Sequence, residues 1–519
     1  MASQSVNIPG LTFNFLSPGY FPFVNLGAYP SNNPSSAIKV VIIGDASGGD
    51  TTHWPVNTLY GPDTDNPIAD ATTLETAAGL NSEVTQGVKV FKASNPSAPV
   101  YMIFVADLGT KGVSTLTITG TATKANTLNL KINGNKLVQI PVKVGDTSAA
   151  LHTLGAALAN AKRAEFTATG SGAITVTAGS PGVRNTPTLK AWLGTVDSGL
   201  TLTVANASTP GMSTIDLTTA MTLLNKSNKI YVPICLPSAD ESATTNTLEL
   251  LATTINTQAA ALANDRMFGF GGMRGSFTAL TAYAIGSGTK LQGTIDNARM
   301  AFIWHESSPA TVAEIVCKTA ACVVAKWQQF IPNFNMCNYG LSSDSLAVWG
   351  AGLPLGLSDT NTTDINLEAA LEAGVTPIRQ INRQTCIYRL VTTHSYDAVS
   401  GAQDQRIVDA HKTFACDYVA DQIGALVNIY TEDMNLADDL PNPNDANSQN
   451  TVTPLTIQIA IMGLIDKLAA DGWIEDADTE KSKTFCIRDP SNSARVLYYT
   501  PTNIVDILAQ VAGKVDQVG

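Results

Sequence analysis

The chain has 519 residues and a formal net charge of −12, with 44% hydrophobic but only 14% charged residues, against roughly 25% charged in ordinary soluble domains. That length exceeds what one hydrophobic core supports and predicts about two to four domains. No run of Lys or Arg approaches a polybasic patch, which argues against a surface that tracks phosphates, and no stretch reaches the roughly 18 uninterrupted apolar residues of a bilayer span. The start, Met1-Ala2-Ser3-Gln4-Ser5, has neither a basic n-region nor an apolar h-region. No signal peptide is expected, and the chain is expected to be soluble and made in the cytoplasm. A surface made mostly of Thr, Ser, Ala, Asn and Gly suits a subunit covered by copies of itself, and equally a secreted Thr-rich β protein.

Residues 1–37, rich in Pro, Asn, Ser and Gly, read as an extended arm. Within it Tyr20 to Leu26 is aromatic and β-prone, and Pro22 confines that stretch to an edge or an added strand. Ile38 to Ile43, ending in Gly44, is the apolar run of a strand buried on both faces. Val100 to Val105, Ile230 to Ile234, Met267 to Phe270 and Met300 to Trp304 repeat it. Helical patterns lie between most of them, clearest at Leu217 to Leu224, Thr247 to Leu262 and Thr311 to Trp327. Strands alternating with helices predict a mostly parallel α/β sheet. Residues 113–205 interrupt the rhythm. Val113 to Thr119, Thr127 to Ile132 and Leu137 to Val142 alternate apolar with polar, and Asn133-Gly134-Asn135 is a hairpin turn. A helix over about Ser148 to Ala161 follows, then strands at Ala173 to Thr177, Thr188 to Leu193 and Leu200 to Val204. This predicts a small α+β domain inserted into the α/β core.

Beyond residue 330, Ile378 to Thr393 reads as a β segment and Gln403 to Tyr430 as a long helix. Thr453-Pro454 opens another helix, with Ile457, Ile461, Leu464 and Leu468 on its apolar face and Gly472 to close it. Phe485 to Ile487 and Arg495 to Tyr499 are strand-like. Ile504 to Val518 is apolar enough to pair but has no partner nearby in sequence.

Motifs for chemistry do not assemble. Gly44-Asp45-Ala46-Ser47-Gly48-Gly49-Asp50 approaches a serine-nucleophile signature, but Ala46 breaks the spacing and no His precedes His53. It also lacks both phosphate-loop patterns. In Gly269 to Gly275 the third glycine comes one position late for a dinucleotide fingerprint, so the run reads as a strand-to-helix turn. His53, His152, His305, His394 and His411 form no metal-ligand spacing, and His305-Glu306 at a strand end reads as structural. Asp438-Asp439 lacks the pattern of a calcium loop. Seven cysteines without Cys-x-x-Cys read as buried thiols, with crosslinks between subunits as the alternative. No catalytic residue, cofactor or metal is expected, and a structural role follows.

Pro18-Gly19-Tyr20-Phe21-Pro22-Phe23-Val24, followed by Ala37-Ile38-Lys39-Val40-Val41-Ile42-Ile43-Gly44, resembles the start of contractile phage tail sheath proteins of the Mu-like and R-type pyocin group. Thr115 to Gly120, Leu128 to Ile132 with Gly134, Val144-Gly145-Asp146-Thr147 and Pro181-Gly182-Val183-Arg184-Asn185 follow in the family's order. So do Gly374-Val375-Thr376 and Cys386 to Thr393. His394 departs from the family's usual aromatic, and the acidic, Asn-rich loop 432–452 is longer than the family's.

The resemblance implies a multidomain fold: an N-terminal arm (1–37), an α/β core (38–112 with 206–365), and an inserted outer β-rich domain (113–205). A C-terminal inner domain (366–495) and a C-terminal arm (496–519) complete it. It also implies a virion tail subunit, assembled in the host cytoplasm, that stacks as six-membered rings around a tail tube and contracts to drive the tube through the host envelope. The partners would be copies of itself, the tail tube protein, and baseplate and tail-terminator proteins, with no direct nucleic acid contact and no membrane insertion. The arms would lend strands to neighbouring subunits, through Phe21, Phe23 and Val24 at one end and Ile504, Val505, Ile507 and Leu508 at the other. The competing readings are a surface-array or adhesin protein, favoured by Thr/Asn richness, and an α/β enzyme using the Gly44 or His305 region.

Overall fold

The computed structural model describes residues 38–509 apart from 47, 66, 69, 134–135, 163–165, 183–184, 196–197, 237–246, 261–262, 282–294, 306–309, 330–331, 333, 342–363, 382–383, 396–403, 405–407 and 439–449. Strand β1 (Val40–Asp45) is buried along its whole length, as its β-branched run requires. After the short β2 (Leu59–Tyr60) come α1 (Ala71–Ala78) and α2 (Glu83–Ser94). Their first turns are closed by Asp70, which accepts from the Thr73 amide, and Ser82, which accepts from Thr85. Strand β3 (Val100–Val105) then pairs parallel to β1.

The inserted domain holds β4 (Lys111–Gly120), β5 (Asn126–Ile132), β6 (Lys136–Val142), α3 (Ser148–Asn160), β7 (Phe166–Gly170), β8 (Ile174–Pro181), β9 (Leu189–Leu193) and β10 (Leu200–Thr209). They form two antiparallel sheets, β10-β4-β8-β7 and β6-β5-β9. Their alternating apolar residues (Leu116, Ile118, Leu128, Leu130, Ile140) share one core with Leu151 and Ala156 of α3. His152 on that helix is buried and accepts from the Ile118 amide through Nε2 at 2.9 Å. Burial lowers its pKa, which keeps the ring neutral for that role.

The chain returns to the core through α4 (Thr218–Met221), β11 (Val232–Cys235), α5 (Thr247–Gln258), β12 (Gly269–Arg274), α6 (Phe277–Leu280), β13 (Met300–His305) and α7 (Val312–Trp327). Helix α7 opens with a reciprocal cap between Thr311 and Glu314. Next are β14 (Tyr339–Gly340), α8 (Asp364–Glu372), β15 (Val375–Ile381) and β16 (Gln384–Ile387). One nine-stranded sheet results, ordered β14-β16-β15-β13-β12-β11-β1-β3-β2, parallel from β15 to β3 and antiparallel at both edges. Val40 and Ile42 face α1, α2 and α7, while Val41 and Ile43 face α4, α5 and α8. Covering both faces explains why these strands are continuous apolar runs rather than alternating ones.

The C-terminal unit comprises α9 (Ala410–Asp433), β17 (Asn435–Leu436), β18 (Thr451–Val452), α10 (Pro454–Ala470), β19 (Ile474–Glu475), α11 (Ala477–Lys483), β20 (Phe485–Arg488), β21 (Val496–Tyr499) and β22 (Asn503–Ile504). Its core gathers Ile423, Ile457, Ile461, Ile465, Leu468, Trp473 and Ile504. The chain is therefore a multidomain α/β protein with a β-rich insertion.

Four expectations change. The glycines at 269, 271 and 272 lie within β12 instead of in a turn after it. A Cβ at Gly272 would lie 2.4 Å from the Ile303 carbonyl oxygen, so the strand needs glycine to approach β13. Strands β15 and β16, expected in the C-terminal domain, extend the core sheet, because Val375 pairs with Phe302 in parallel register. Helix α9 begins at Ala410, not near Gln403, because Asp409 is held in a bridge to Val391 and in a two-pronged pair with Arg389. Strand β21, expected in the C-terminal arm, closes a hairpin with β20 in its own chain.

Candidate assembly surfaces

The insertion leaves and rejoins the core at one neck. Thr110 and Met212 bond reciprocally through their backbones at 2.7 and 2.9 Å. Below them the buried Asp107 carboxylate accepts from Ser213 Oγ at 2.6 Å and from the Thr214 and Gly109 amides at 2.9 Å. The Asp107 amide donates to Asp45 Oδ1 at the end of β1. A second contact lies beside α2, where Asn185 Nδ2 donates to Glu83 Oε1 at 2.8 Å and the Glu83 amide donates to Ser180 Oγ. Sequence reasoning missed both ties, because Asp107, Ser213, Glu83 and Asn185 lie far apart in the chain and match no motif.

An open parallel sheet offers a ligand crevice where strand order reverses, at the carboxyl ends of β1 and β11. Among the described residues, the β1 side of that crevice is closely packed. Asp45 is occupied by Asp107, a Cβ on Gly44 would press on Val84 and Leu236, and Gly49 packs against the backbone of Ala77. The glycine-rich turn is thus a packing device. His305 ends β13 fully buried, with its pKa pushed down to about 4 by burial. A small cleft nearby is lined by Glu83, Gln86, Asn185, Arg274 and Thr311. Within it Arg274 donates to the Ala310 carbonyl and Asn185 to Glu83, which makes it a seam between domains. Among the described residues no group of three or more His, Cys, Asp or Glu is arranged to hold a metal ion, and no helix is long and apolar enough to cross a membrane. All seven cysteines are free thiols; six are buried and Cys337 is half-buried.

The arm residues separate into two groups. Phe21, Phe23 and Val24 lie outside the described residues. At the other end, Ile504 is buried and pairs with Ile474 in its own chain. The Val505 amide still reaches the Trp473 carbonyl at 3.2 Å, but its side chain faces solvent. Asp506 meets Lys412 at 2.5 Å, Ile507 is half-buried, and Leu508 is 72% exposed. The Leu508 carbonyl accepts from Asn335 Nδ2 at 3.3 Å, so the chain is held by its own residues well past the arm boundary expected at residue 496. The Asp438 side chain is 73% exposed and pairs at 3.0 Å with Arg488 of β20.

No family model matches the chain, and no curated protein matches it. Among solved structures it is similar to the crystal structure of a sheath tail protein from Desulfitobacterium hafniense. The two share 12% identity at a TM-score of 0.41, over 93% of this chain and 100% of that one.

Proposed function

We propose that this chain is a structural subunit of a contractile phage tail sheath. In this reading it polymerises as stacked six-membered rings around a tail tube and contracts to drive the tube through the host envelope. The observation that carries the reading is the state of the C-terminal ladders. The β19–β22 and β20–β21 pairs are two-stranded, and among the described residues neither has a third strand. Two-stranded pieces are marginal alone and present open edges. Added strands from neighbouring chains would complete them, through backbone hydrogen bonds that persist while the bodies of the subunits rotate. The order of sequence segments shared with sheath proteins, from Pro18 to Thr393, supports the same reading.

Under this proposal residues 1–37 and the chain after Ile504 are the lent strands, with Phe21, Phe23, Val24, Val505, Ile507 and Leu508 as their contact residues. The inserted domain lies outside and the C-terminal unit faces the tube. Partners are further copies, the tube protein, and the baseplate and terminator proteins of a virion tail assembled in the host cytoplasm. Electron microscopy of the purified protein tests it: long striated tubes are expected, and a monodisperse monomer under all assembly conditions overturns it.

A further inference from the structure

The inserted domain carries a charge unlike the rest of the chain. Residues 111–209 contain nine Lys or Arg against three Asp or Glu, a net of +6 within a protein of −12. Two of these lysines meet on the outward face of the β6-β5-β9 sheet. The inward residues are Leu128, Leu130 and Ile132 of β5, all fully buried, so Asn129 and Lys131 point the other way. Lys131 pairs directly opposite Lys190 on β9, and Asn129 opposite Trp192. Directly opposed like charges destabilise a sheet, yet neither lysine has an acidic partner among the described residues. Trp192 is 40% exposed and its indole N–H has no acceptor there, while Gln139 on β6 donates to Asn129 at 3.4 Å.

We infer that this face binds an anionic polysaccharide. A flat aromatic ring stacks against the C–H face of a pyranose, the exposed amide of Gln139, braced by the buried Asn129, suits hydroxyl groups, and the paired lysines neutralise carboxylates on successive sugars. The positive charge of the insert complements a polyanion. A nucleic acid needs a longer basic track than these two lysines provide. The inference uses only the inserted domain and stands whether or not the chain forms a sheath.

Binding of the full chain to alginate, neutral amylose, poly-glutamate and an oligo-dT strand, followed by calorimetry at two salt concentrations, tests it. Alginate is expected to bind most tightly. Trp192→Ala should weaken alginate binding about ten-fold or more, with Trp192→Phe restoring part of the loss and the melting temperature unchanged. The Lys131→Gln/Lys190→Gln pair should weaken it and flatten its salt dependence. Unchanged alginate affinity in the Trp192→Ala variant overturns the proposal. So does tighter binding of oligo-dT, equal binding of poly-glutamate, or a Trp192-dependent self-association that alone accounts for the signal.

Discussion

Arg299 and Asp417 form two parallel hydrogen bonds of 2.7 and 2.8 Å, and neither side chain is more than 2% exposed. Arg299 immediately precedes β13 and Asp417 lies on the second turn of α9, so the pair fixes the C-terminal unit to the amino ends of the parallel strands. Arg266 lies 3.8 Å from Asp417 and pairs with Asp421 one turn further on. Removing one member strands a buried charge. Asp417→Ala is expected to lower stability by about 3–5 kcal/mol, measured by urea unfolding. The Arg299→Met/Asp417→Leu double variant should lose less than the single one, and equal losses would show that the stranded charge is not the cause.

Phe414, one turn before Asp417, is the apolar half of the same joint. Its ring lies 4.5 Å from Trp327, 4.6 Å from Phe268 and 4.9 Å from Phe334. Phe414→Ala should cost about 3–5 kcal/mol, seen as a lower melting temperature, whereas Phe414→Leu should retain much of it.

The neck gives a local test. Asp107→Ala leaves the Gly109 and Thr214 amides without their acceptor and should cost about 1–3 kcal/mol. Limited proteolysis should then cut near Leu108 or Met212 and release the inserted domain faster than in the parent protein.

Stability should depend on pH through histidines of opposite sign. His305 and His411 are buried and neutral, with pKa values pushed down to about 4, mainly by desolvation. Their folded values lie below the unfolded value of about 6.5, so stability present above pH 6.5 is lost as the pH falls towards 4, by about 3 kcal/mol at most for each. His394 behaves oppositely. Burial works to lower its pKa, but bonds to Asp296 at 2.8 Å and Asp404 at 3.1 Å outweigh that and raise it. Its contribution is full below the unfolded pKa and disappears as the pH rises through the folded one. Urea midpoints between pH 4 and 9 check both: His411→Gln should flatten the acid limb, and His394→Gln should cost more at pH 6 than at pH 9.

The arms can be separated from the body by truncation. Deleting residues 1–30 or 505–519 should leave a folded protein that forms no tubes, by circular dichroism and electron microscopy. Deleting from residue 496 should also unfold the C-terminal unit, because Leu497 and Ile504 are buried in it. Normal tubes from either short truncation would contradict the lent-strand proposal.

Periodicity alone determined much of this protein. The apolar runs at Ile38, Val100 and Met300 marked doubly covered strands, alternation marked the insertion, and Thr453-Pro454 placed the start of α10, because these signals arise from neighbours within a few residues. Tertiary structure decided what depends on distant partners. The stretches forming α1, α2 and β7 gave weak local patterns and are fixed by packing against α7 and β8. The glycines of β12 looked like a turn until β13 supplied the crowding that requires them. Asp107 with Ser213, Arg299 with Asp417 and Lys131 with Lys190 are relationships between residues 59 to 118 positions apart. The end of the chain shows the division most clearly: its apolar composition announced a strand, but only the fold shows that Ile504 finds its partner in Ile474 while Leu508 stays exposed.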